Sequence, residues 1–427
     1  MSSTDTVVIG AGHAGLAVSR LLTAAGRDHV VLERGRVAQR WRTERWDSLR
    51  LLSPNWMTRL PGMTYQGPEP DGFMPAGRFV EHLERYAAAF AAPVLGSTTV
   101  LAVGAATAGG YRLVTDRDEW RAANVVIATG PHGVPRLPAG LDATEVVTAD
   151  RYRNPAQLPS GGVLVIGASS SGVQIADELN RAGREVVLAV GRHTRIPRRY
   201  RGMDIFWWLE RTGRLARTID DVDDPVAARR EPSMQLIGRR ARPEDTGDRT
   251  SDSVDLVTLH AHGVRLTGRF DGMDRGRARF RCDLADTTSA ADTAMHRTLD
   301  AIDDHIAAAG LGDEVLAARR PPRLCAPTPV REIDLASAGI HTVLVAAGYR
   351  PHYPWLRLPI TDRSGAIRQY RGVTPAPGLY IVGQRFQHRR DSGFIDGARR
   401  DAWAVVQHLT TGLRPDADAE RDEEPAA

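Results

Sequence analysis

The chain has 427 residues, 42% hydrophobic and 25% charged, which is ordinary for a folded protein of two or three domains. All 56 basic residues are arginines, because the sequence contains no lysine, and this excludes a lysine Schiff base and a P-loop lysine. The two cysteines, Cys282 and Cys325, form no CxxC pair, which argues against a dithiol redox centre, and the histidines show no metal-ligand spacing.

The N-terminus enters an apolar strand pattern at Thr6 without a basic region or a cleavage-site pattern, so no signal peptide is predicted. No apolar run is long enough to span a bilayer. The pI of about 9.3 reflects the use of arginine and is weak evidence for nucleic-acid binding. We therefore expect a cytoplasmic protein with neither a membrane nor a nucleic-acid partner.

The first predicted element is a βαβ unit. An apolar strand, TVVI, leads into the glycine motif GAGHAG, a helix-like run follows, and the next strand ends at Glu33. The first glycine of such a motif permits a tight turn, the second lets the backbone approach a diphosphate, and the third lets the helix pack on the strand. The acid can accept hydrogen bonds from the adenosine ribose. This context predicts a dinucleotide site formed by Gly10, Gly12, His13, Ala14, Gly15, Glu33 and Arg34.

A tryptophan-rich segment from Trp41 to Trp56 comes next, where the chain should run toward the reactive end of a bound dinucleotide. Asn55 is a candidate hydrogen-bonding residue there, and Trp41, Trp46 and Leu52 are candidate contacts. Residue type alone favours a core role for the tryptophans. An asparagine after a proline is also common in turns, so two roles stay open for Asn55.

A second βαβ unit follows. Its glycine motif is GASSSG, in which Ser169 stands at the middle glycine position and offers a hydroxyl to a phosphate. Its second strand ends at Arg192 instead of an acid, which favours the 2′-phosphate of NADPH over NADH. The predicted site residues are Gly167, Ser169, Ser170, Ser171, Gly172 and Arg192. Most of the four arginines that follow are expected to lie in a solvated basic loop (Arg195, Arg198, Arg199 and Arg201).

Glycines also end three other strand patterns. They are found in Ala128-Thr129-Gly130, in Ala346-Ala347-Gly348 and at Gly383. In a fold with two dinucleotide sites, such positions mark chain crossings between domains or close approaches to the first cofactor. We include Ala128, Thr129, Gly130, Gly348 and Gly383 among the candidate cofactor contacts.

These patterns predict an α/β fold with two dinucleotide-binding (Rossmann-like) domains, the second inserted in the first. We assign residues 1–155 to the first part of the first dinucleotide-binding domain, 156–317 to the second, NADPH-binding domain and 318–414 to the second part of the first domain. Residues 261–300 are weakly patterned. The acidic tail, 415–427, is expected to be disordered.

In this order, the motifs resemble the flavin-containing monooxygenase superfamily, and in particular its bacterial CzcO/TrkA-like FAD/NAD(P)-dependent oxidoreductases. The resemblance covers about residues 4 to 410 and is most specific in WRTERWDSLRLLSPNWMTRLPG, GRHTRIPRRYRGMDIFWWLE, AAGYRPHYPWL and RDSGFIDGARRDA. It implies FAD in the first fold and NADPH in the second. It also implies a C4a-(hydro)peroxyflavin that transfers one oxygen atom to a nitrogen or sulfur, with Asn55 stabilising that adduct.

The exact activity stays open. Of the FxGxxxHxxxY signature of the superfamily, only Tyr152 is retained, which weakens assignment to its N- or S-oxidising and Baeyer–Villiger groups. The alternatives are an NADPH-dependent reductase or oxidase without oxygenation, or a Baeyer–Villiger-type monooxygenase, whereas the intact first motif argues against a binding or regulatory module. The expected partners are a small-molecule substrate and dioxygen, and a homodimer is compatible with the sequence.

Overall fold

The computed structural model describes residues 2–141, 146–235 and 254–412, so the predicted disordered tail lies outside the described residues. The strands are β1 (Ser2–Ile9), β2 (His29–Leu32), β3 (Val94–Leu95), β4 (Val100–Ala105), β5 (Tyr111–Thr115), β6 (Glu119–Ile127), β7 (Val134–Pro135), β8 (Val147–Thr148), β9 (Gly162–Ile166), β10 (Val186–Ala189), β11 (Thr194–Arg195), β12 (Arg199–Tyr200), β13 (Met203–Asp204), β14 (Met234–Gln235), β15 (Arg265–Thr267), β16 (Phe270–Asp274), β17 (Arg277–Phe280), β18 (Glu332–Asp334), β19 (Ile340–Val345), β20 (Tyr349–Arg350) and β21 (Leu379–Ile381). The helices are α1 (His13–Ala24), α2 (Gln39–Thr43), α3 (Ala76–Ala89), α4 (Ser170–Arg181), α5 (Ile205–Arg211), α6 (Pro225–Arg229), α7 (Leu256–Ala261), α8 (Leu284–Ala308) and α9 (Ile395–Thr411).

The first sheet has the strand order β3-β2-β1-β6-β5-β4, and β21 pairs in parallel with the carboxyl half of β6. Its central strands are apolar along their whole carboxyl halves because both faces of the sheet are covered. Val8 and Val126 are in one core cluster with residues of α1, α3 and α9, whereas Val7 and Val125 are in a cluster with residues of β4 and β5. This sheet therefore forms the centre of a layered α/β unit.

The second sheet is entirely parallel, with the order β15-β10-β9-β19-β8. It includes Ile340–Val345, which the sequence division had placed in the returning part of the first fold, and Val147–Thr148, which it had placed before the second fold. The strand pairing of β19 with β9 and β8 is therefore a correction to the predicted boundaries. The chain rejoins the first sheet only at β21.

Two short strands connect the sheets. β7 follows the end of β6 and β20 follows the end of β19, and the two pair with each other in antiparallel fashion. The amide of Arg136 also donates to the carbonyl of Gly348 at 2.9 Å. The two chain crossings that the strand-end glycines predicted thus run side by side.

The weakly patterned region 261–300 contains regular structure that its sequence conceals. β16 and β17 form a hairpin that β18 extends, and α8 runs for 25 residues. The buried stripe of α8 includes Met295, Leu299 and Ile302, but small and polar residues at Ala291 and Asp292 dilute the helical period. No helix within the described ranges is long and apolar enough to cross a membrane.

Candidate functional site

The first glycine loop, Gly10 to Gly15, has the geometry that its sequence predicts. Gly10 has φ +109°, and a Cβ there would lie 2.8 Å from the carbonyl oxygen of Ala128. A Cβ on Gly15 would lie 1.9 Å from the carbonyl oxygen of Gly10, so only glycine lets α1 pack this close to the turn. At Gly12 a Cβ would meet no protein atom within 4 Å. The loop therefore offers an open cradle at the N-terminus of α1, where a diphosphate fits.

Glu33 holds this loop in place. Its Oε2 accepts a hydrogen bond from the amide of Ala11 at 2.8 Å, and its Oε1 accepts one from the amide of Gly35 at 3.1 Å. The side chain is 7% exposed. Because each carboxylate oxygen has two lone pairs, each keeps one for a ribose hydroxyl. The neighbouring Arg34 is exposed and forms an ion pair with Glu44.

The second glycine loop has nearly the same backbone geometry as the first. Gly167 also has φ +109°, and its Cβ would lie 2.5 Å from the carbonyl oxygen of Ala346, while a Cβ on Gly172 would lie 1.8 Å from the carbonyl oxygen of Gly167. Ser169 precedes α4 as Gly12 precedes α1, with φ and ψ of −82° and −171° against −81° and −178°. The Ser169 side chain makes no capping hydrogen bond, so its hydroxyl is available to a ligand. Ser170 and Ser171 start α4 and are half-buried.

The strand-end glycines divide between the two loops. Gly130, with φ +74°, follows Ala128 and Thr129 beside the first loop, and Gly348, with φ +83°, occupies the same place beside the second. A Cβ on Gly383 would lie 3.0 Å from the Cβ of Ala14, which places Gly383 at the first loop. Gly348 thus lies beside the second site, although the sequence division had placed it in the returning part of the first fold.

Arg192 is exposed just beyond β10, and its Nη2 donates to the carbonyl oxygen of Arg230 at 3.0 Å. The solvated loop that was expected for the next arginines is wrong for two of them. Arg195 is 5% exposed and pairs with Asp255 and Asp292. Arg198 is 1% exposed and pairs with Asp204, because this segment crosses the core between α5 and α8 instead of the surface. Arg192 therefore remains the accessible arginine at this strand end.

The tryptophan-rich segment packs mainly into cores. Trp46 is 6% exposed in the core cluster around the second sheet, and Trp41 packs edge-on against Phe79 with ring centroids 4.8 Å apart. Leu52 is half-buried, and its carbonyl oxygen accepts a hydrogen bond from Arg198 at 2.6 Å. The core interpretation of these tryptophans thus fits the packing, and this segment joins the two layered units.

Asn55 is 4% exposed and starts a short 3₁₀ turn. Its Nδ2 donates to the carbonyl oxygen of Glu69 at 2.8 Å, and its Oδ1 is buried without a hydrogen-bond partner. The first contact suits a structural residue, whereas the second is an unsatisfied acceptor of the kind that functional sites retain. Both roles predicted for Asn55 therefore stay predictions.

Two histidines that the sequence reasoning did not assign to catalysis lie at and close to the first loop. His13, at the start of α1, and His132, two residues after Gly130, are each partly accessible to solvent. Burial lowers the pKa of His13 to about 4 and that of His132 to about 3, with Arg45 and Arg40 contributing to the second shift. The ring of His132 packs edge-on against Tyr349 at 4.8 Å. The only sequence signal for His132 was its position just after the strand-end glycine.

These shifts predict that the protein without cofactor loses stability as the pH falls below about 6.5, the usual pKa of histidine. In that range the unfolded chain takes up protons that His13 and His132 in the folded chain do not, so the free energy of unfolding decreases toward acid. Thermal unfolding measured between about pH 7.5 and 5, the range in which histidine usually titrates, tests this loss of stability. A His13→Gln/His132→Gln double variant should lose less stability over the same range, and an unchanged slope would contradict the assignment.

Comparison with known proteins agrees with this geometry. The family described as pyridine nucleotide-disulphide oxidoreductase matches residues 7–205. An uncharacterized CzcO-like oxidoreductase of Geobacillus kaustophilus is 28% identical over 413 residues, which cover 95% of this chain and 98% of the relative. The indole-3-pyruvate monooxygenase YUCCA1 of Oryza sativa subsp. japonica is 32% identical over 208 residues, 47% of this chain and 51% of that protein.

Among solved structures, the flavin-containing monooxygenase from Stenotrophomonas maltophilia is similar to this chain. It has a TM-score of 0.62 at 19% identity, and the alignment covers 96% of this chain and 99% of the other. At this level of identity the similarity establishes the fold. With the sequence relatives, it confirms the resemblance to the flavin-containing monooxygenase superfamily and its CzcO-like members. The chain is an oxidoreductase.

Proposed function

We propose that this chain is an FAD- and NADPH-dependent monooxygenase that transfers one oxygen atom from dioxygen to a nitrogen or sulfur of a small molecule. The observation that carries the proposal is the duplicated loop geometry, with an acid at the end of one βαβ unit and an arginine at the end of the other. Glu33 suits a free ribose, and Arg192 suits a 2′-phosphate. The chain would thus hold two different dinucleotides, one in each layered unit.

The first loop fits FAD. The cradle at Gly12 is open, no side chain caps the N-terminus of α1, and no acidic residue lies in its first turn. The amides there are free to donate to a diphosphate. Glu33 would accept from the ribose hydroxyls, and Gly130 and Gly383, both with positive φ, would let the backbone run close to the cofactor.

The second loop fits NADPH. Ser169 would donate to its diphosphate beside the amides of α4, and Arg192 would bind its 2′-phosphate. The solved structure of OTEMO in complex with FAD and NADP has a TM-score of 0.52 to this chain, which supports the use of both cofactors. In our proposal the domain of 156–317 is extended to include β19 and its end at Gly348.

When bound, the flavin supplies the hydride acceptance and dioxygen activation that no side chain could provide. The chain would bind and orient both cofactors and exclude water from the reacting groups. Burial keeps His13 and His132 neutral at neutral pH, so neither is a strong proton donor. A poor supply of protons favours oxygen transfer over release of peroxide.

Anaerobic mixing of the FAD-loaded protein with NADPH tests the division of cofactors. We expect the flavin absorbance to bleach rapidly with NADPH and slowly with NADH. Failure of either nicotinamide to bleach a bound flavin would contradict the proposal.

A reductase or oxidase is the second candidate, and the contact of Asn55 favours it. Because Nδ2 already donates to Glu69, one of its two hydrogens is not available to an oxygen adduct.

Asn55→Ala is expected to keep FAD and hydride transfer but to divert reduced flavin to hydrogen peroxide. The reason is that Asn55 would stabilise the oxygenated state of the site by a hydrogen bond. The measurement is the ratio of product formed to NADPH consumed, with peroxide assayed in parallel. Asn154→Ala is the matched control, since Asn154 caps a 3₁₀ turn next to Pro155 and its loss should cost only about 1 kcal/mol of stability. If Asn55→Ala behaves like that control, Asn55 is a turn residue.

A further inference from the structure

Residues 229–231 lie between the two nucleotide sites. Arg192, at the second site, donates to the carbonyl oxygen of Arg230 at 3.0 Å. Arg385 donates through Nη2 to the carbonyl oxygen of the next residue, Glu231. Arg385 is two residues after Gly383, which lies against Ala14 at the first loop. The carbonyl oxygens of Arg230 and Glu231 thus each accept a hydrogen bond from an arginine, one arginine from each nucleotide site.

A hydrogen bond in the opposite direction joins the same two segments. Arg229 donates through Nε to the carbonyl oxygen of Phe386 at 3.3 Å. Phe386 is 4% exposed and has φ +44°, a left-handed conformation that a bulky residue adopts only when its surroundings impose it. Such backbone strain is concentrated at functional sites. The segments 229–231 and 384–387 therefore contact each other in a defined arrangement.

Arg229 and Arg385 keep guanidinium donors that no carboxylate uses within the described residues, where each donates a single hydrogen bond to a backbone carbonyl. Burial lowers the pKa of both; the nearby Arg390 lowers that of Arg385 further, and Glu231 acts in the opposite direction. Glu231 itself forms an ion pair with Arg390. Arg229 is half-buried and Arg385 is exposed, so both can be reached by a ligand. Like charges with unused donors are expected where a polyanion binds.

We propose that Arg229 and Arg385 form a phosphate-binding site between the two glycine loops, which takes a phosphate of the nicotinamide cofactor. This inference rests on the proposed function and deepens it. The cofactor carries two kinds of phosphate, the diphosphate and the 2′-phosphate, and both suit a pair of accessible guanidiniums. A site shared between segments of both layered units would also draw them together around the bound nicotinamide.

The test is the binding of NADP⁺ and NAD⁺ to the FAD-loaded protein, measured by titration calorimetry on Arg229→Gln and on Arg385→Gln. Glutamine keeps one donor for the carbonyl contact but removes the charge. Each variant is expected to bind NADP⁺ at least ~10-fold more weakly, the effect of one lost charge-assisted contact. An equal loss for NAD⁺ assigns the site to the diphosphate, and a loss for NADP⁺ alone assigns it to the 2′-phosphate.

Arg265→Gln is the matched control, because Arg265 is exposed at the amino end of β15 in the second sheet. The dissociation constant of FAD and the melting temperature are measured on every variant. Unchanged affinity for both nicotinamides, or weakened binding of FAD alone, would overturn the assignment while leaving the proposed function intact. A wild-type protein that binds FAD but neither nicotinamide would overturn both.

Discussion

Gly12→Val is expected to abolish stable FAD binding while leaving the fold intact. The backbone at Gly12 is extended, with φ −81° and ψ −178°, which valine adopts readily, and its Cβ would meet no protein atom within 4 Å. The side chain would instead fill the cradle where the diphosphate should approach the amides of α1. Loss of two charge-assisted hydrogen bonds, at about 1.5–3 kcal/mol each, weakens binding by ~100-fold or more. The flavin absorbance of the purified protein, relative to its protein absorbance, measures this.

The control for this prediction is Gly77→Val. Gly77 lies in the first turn of α3, is exposed, and would also place a Cβ in open space. The Gly77→Val variant should keep the flavin and the yellow colour of the wild type. A Gly12→Val protein that retains FAD as tightly as the control would show that the first loop is not the diphosphate site.

Arg192→Ala is expected to remove the preference for NADPH. Arg192 is exposed beyond the second strand of the second βαβ unit, and among the described residues its guanidinium makes one hydrogen bond, to a backbone carbonyl, so most of its donors are available to a 2′-phosphate. Loss of one charge-assisted phosphate contact, about 1.5–3 kcal/mol, should raise the KM for NADPH roughly 10- to 150-fold. The KM for NADH should change little, because NADH has a hydroxyl and no phosphate at this position.

Two further variants make this prediction specific. Arg192→Glu replaces a cation that would attract the 2′-phosphate with an acid that would repel it, and it should raise the use of NADH relative to NADPH. Arg265→Ala removes a charge from the amino end of the neighbouring parallel strand β15, whereas Arg192 follows the carboxyl end of β10, and it should leave both constants unchanged. A wild-type protein that uses both cofactors equally would contradict the role of Arg192.

Local rules explain why the two loops could be predicted from the sequence. Gly10 and Gly167 need a positive φ, and Gly15 and Gly172 need close packing of a helix on a turn, so the residue type itself reveals the geometry. The parallel strands were equally clear, because runs such as Val163–Ile166 are buried on both faces. Such features depend on residues that are close together in the chain.

Features that depend on distant partners could not be predicted. Arg195 and Arg198 are polar residues in a basic segment, and only their pairing with Asp255 and Asp204 makes them part of a buried core. The place of β19 in the second sheet follows from its pairing with β9, which no local pattern indicates. Arg385 lies close to Arg229 only because two segments that are distant in the sequence contact each other.

The central claim is that this chain transfers an oxygen atom, and isotope-labelled dioxygen tests it most directly. The FAD-loaded protein is supplied with NADPH, labelled dioxygen and a panel of amines, thioethers and ketones, and the products are analysed by mass spectrometry with NADPH oxidation and peroxide measured in parallel. The account predicts that an amine or thioether product carries one labelled oxygen atom, in proportion to the NADPH consumed. Full conversion of the consumed NADPH to peroxide with no labelled product from any substrate would contradict it and leave the oxidase candidate.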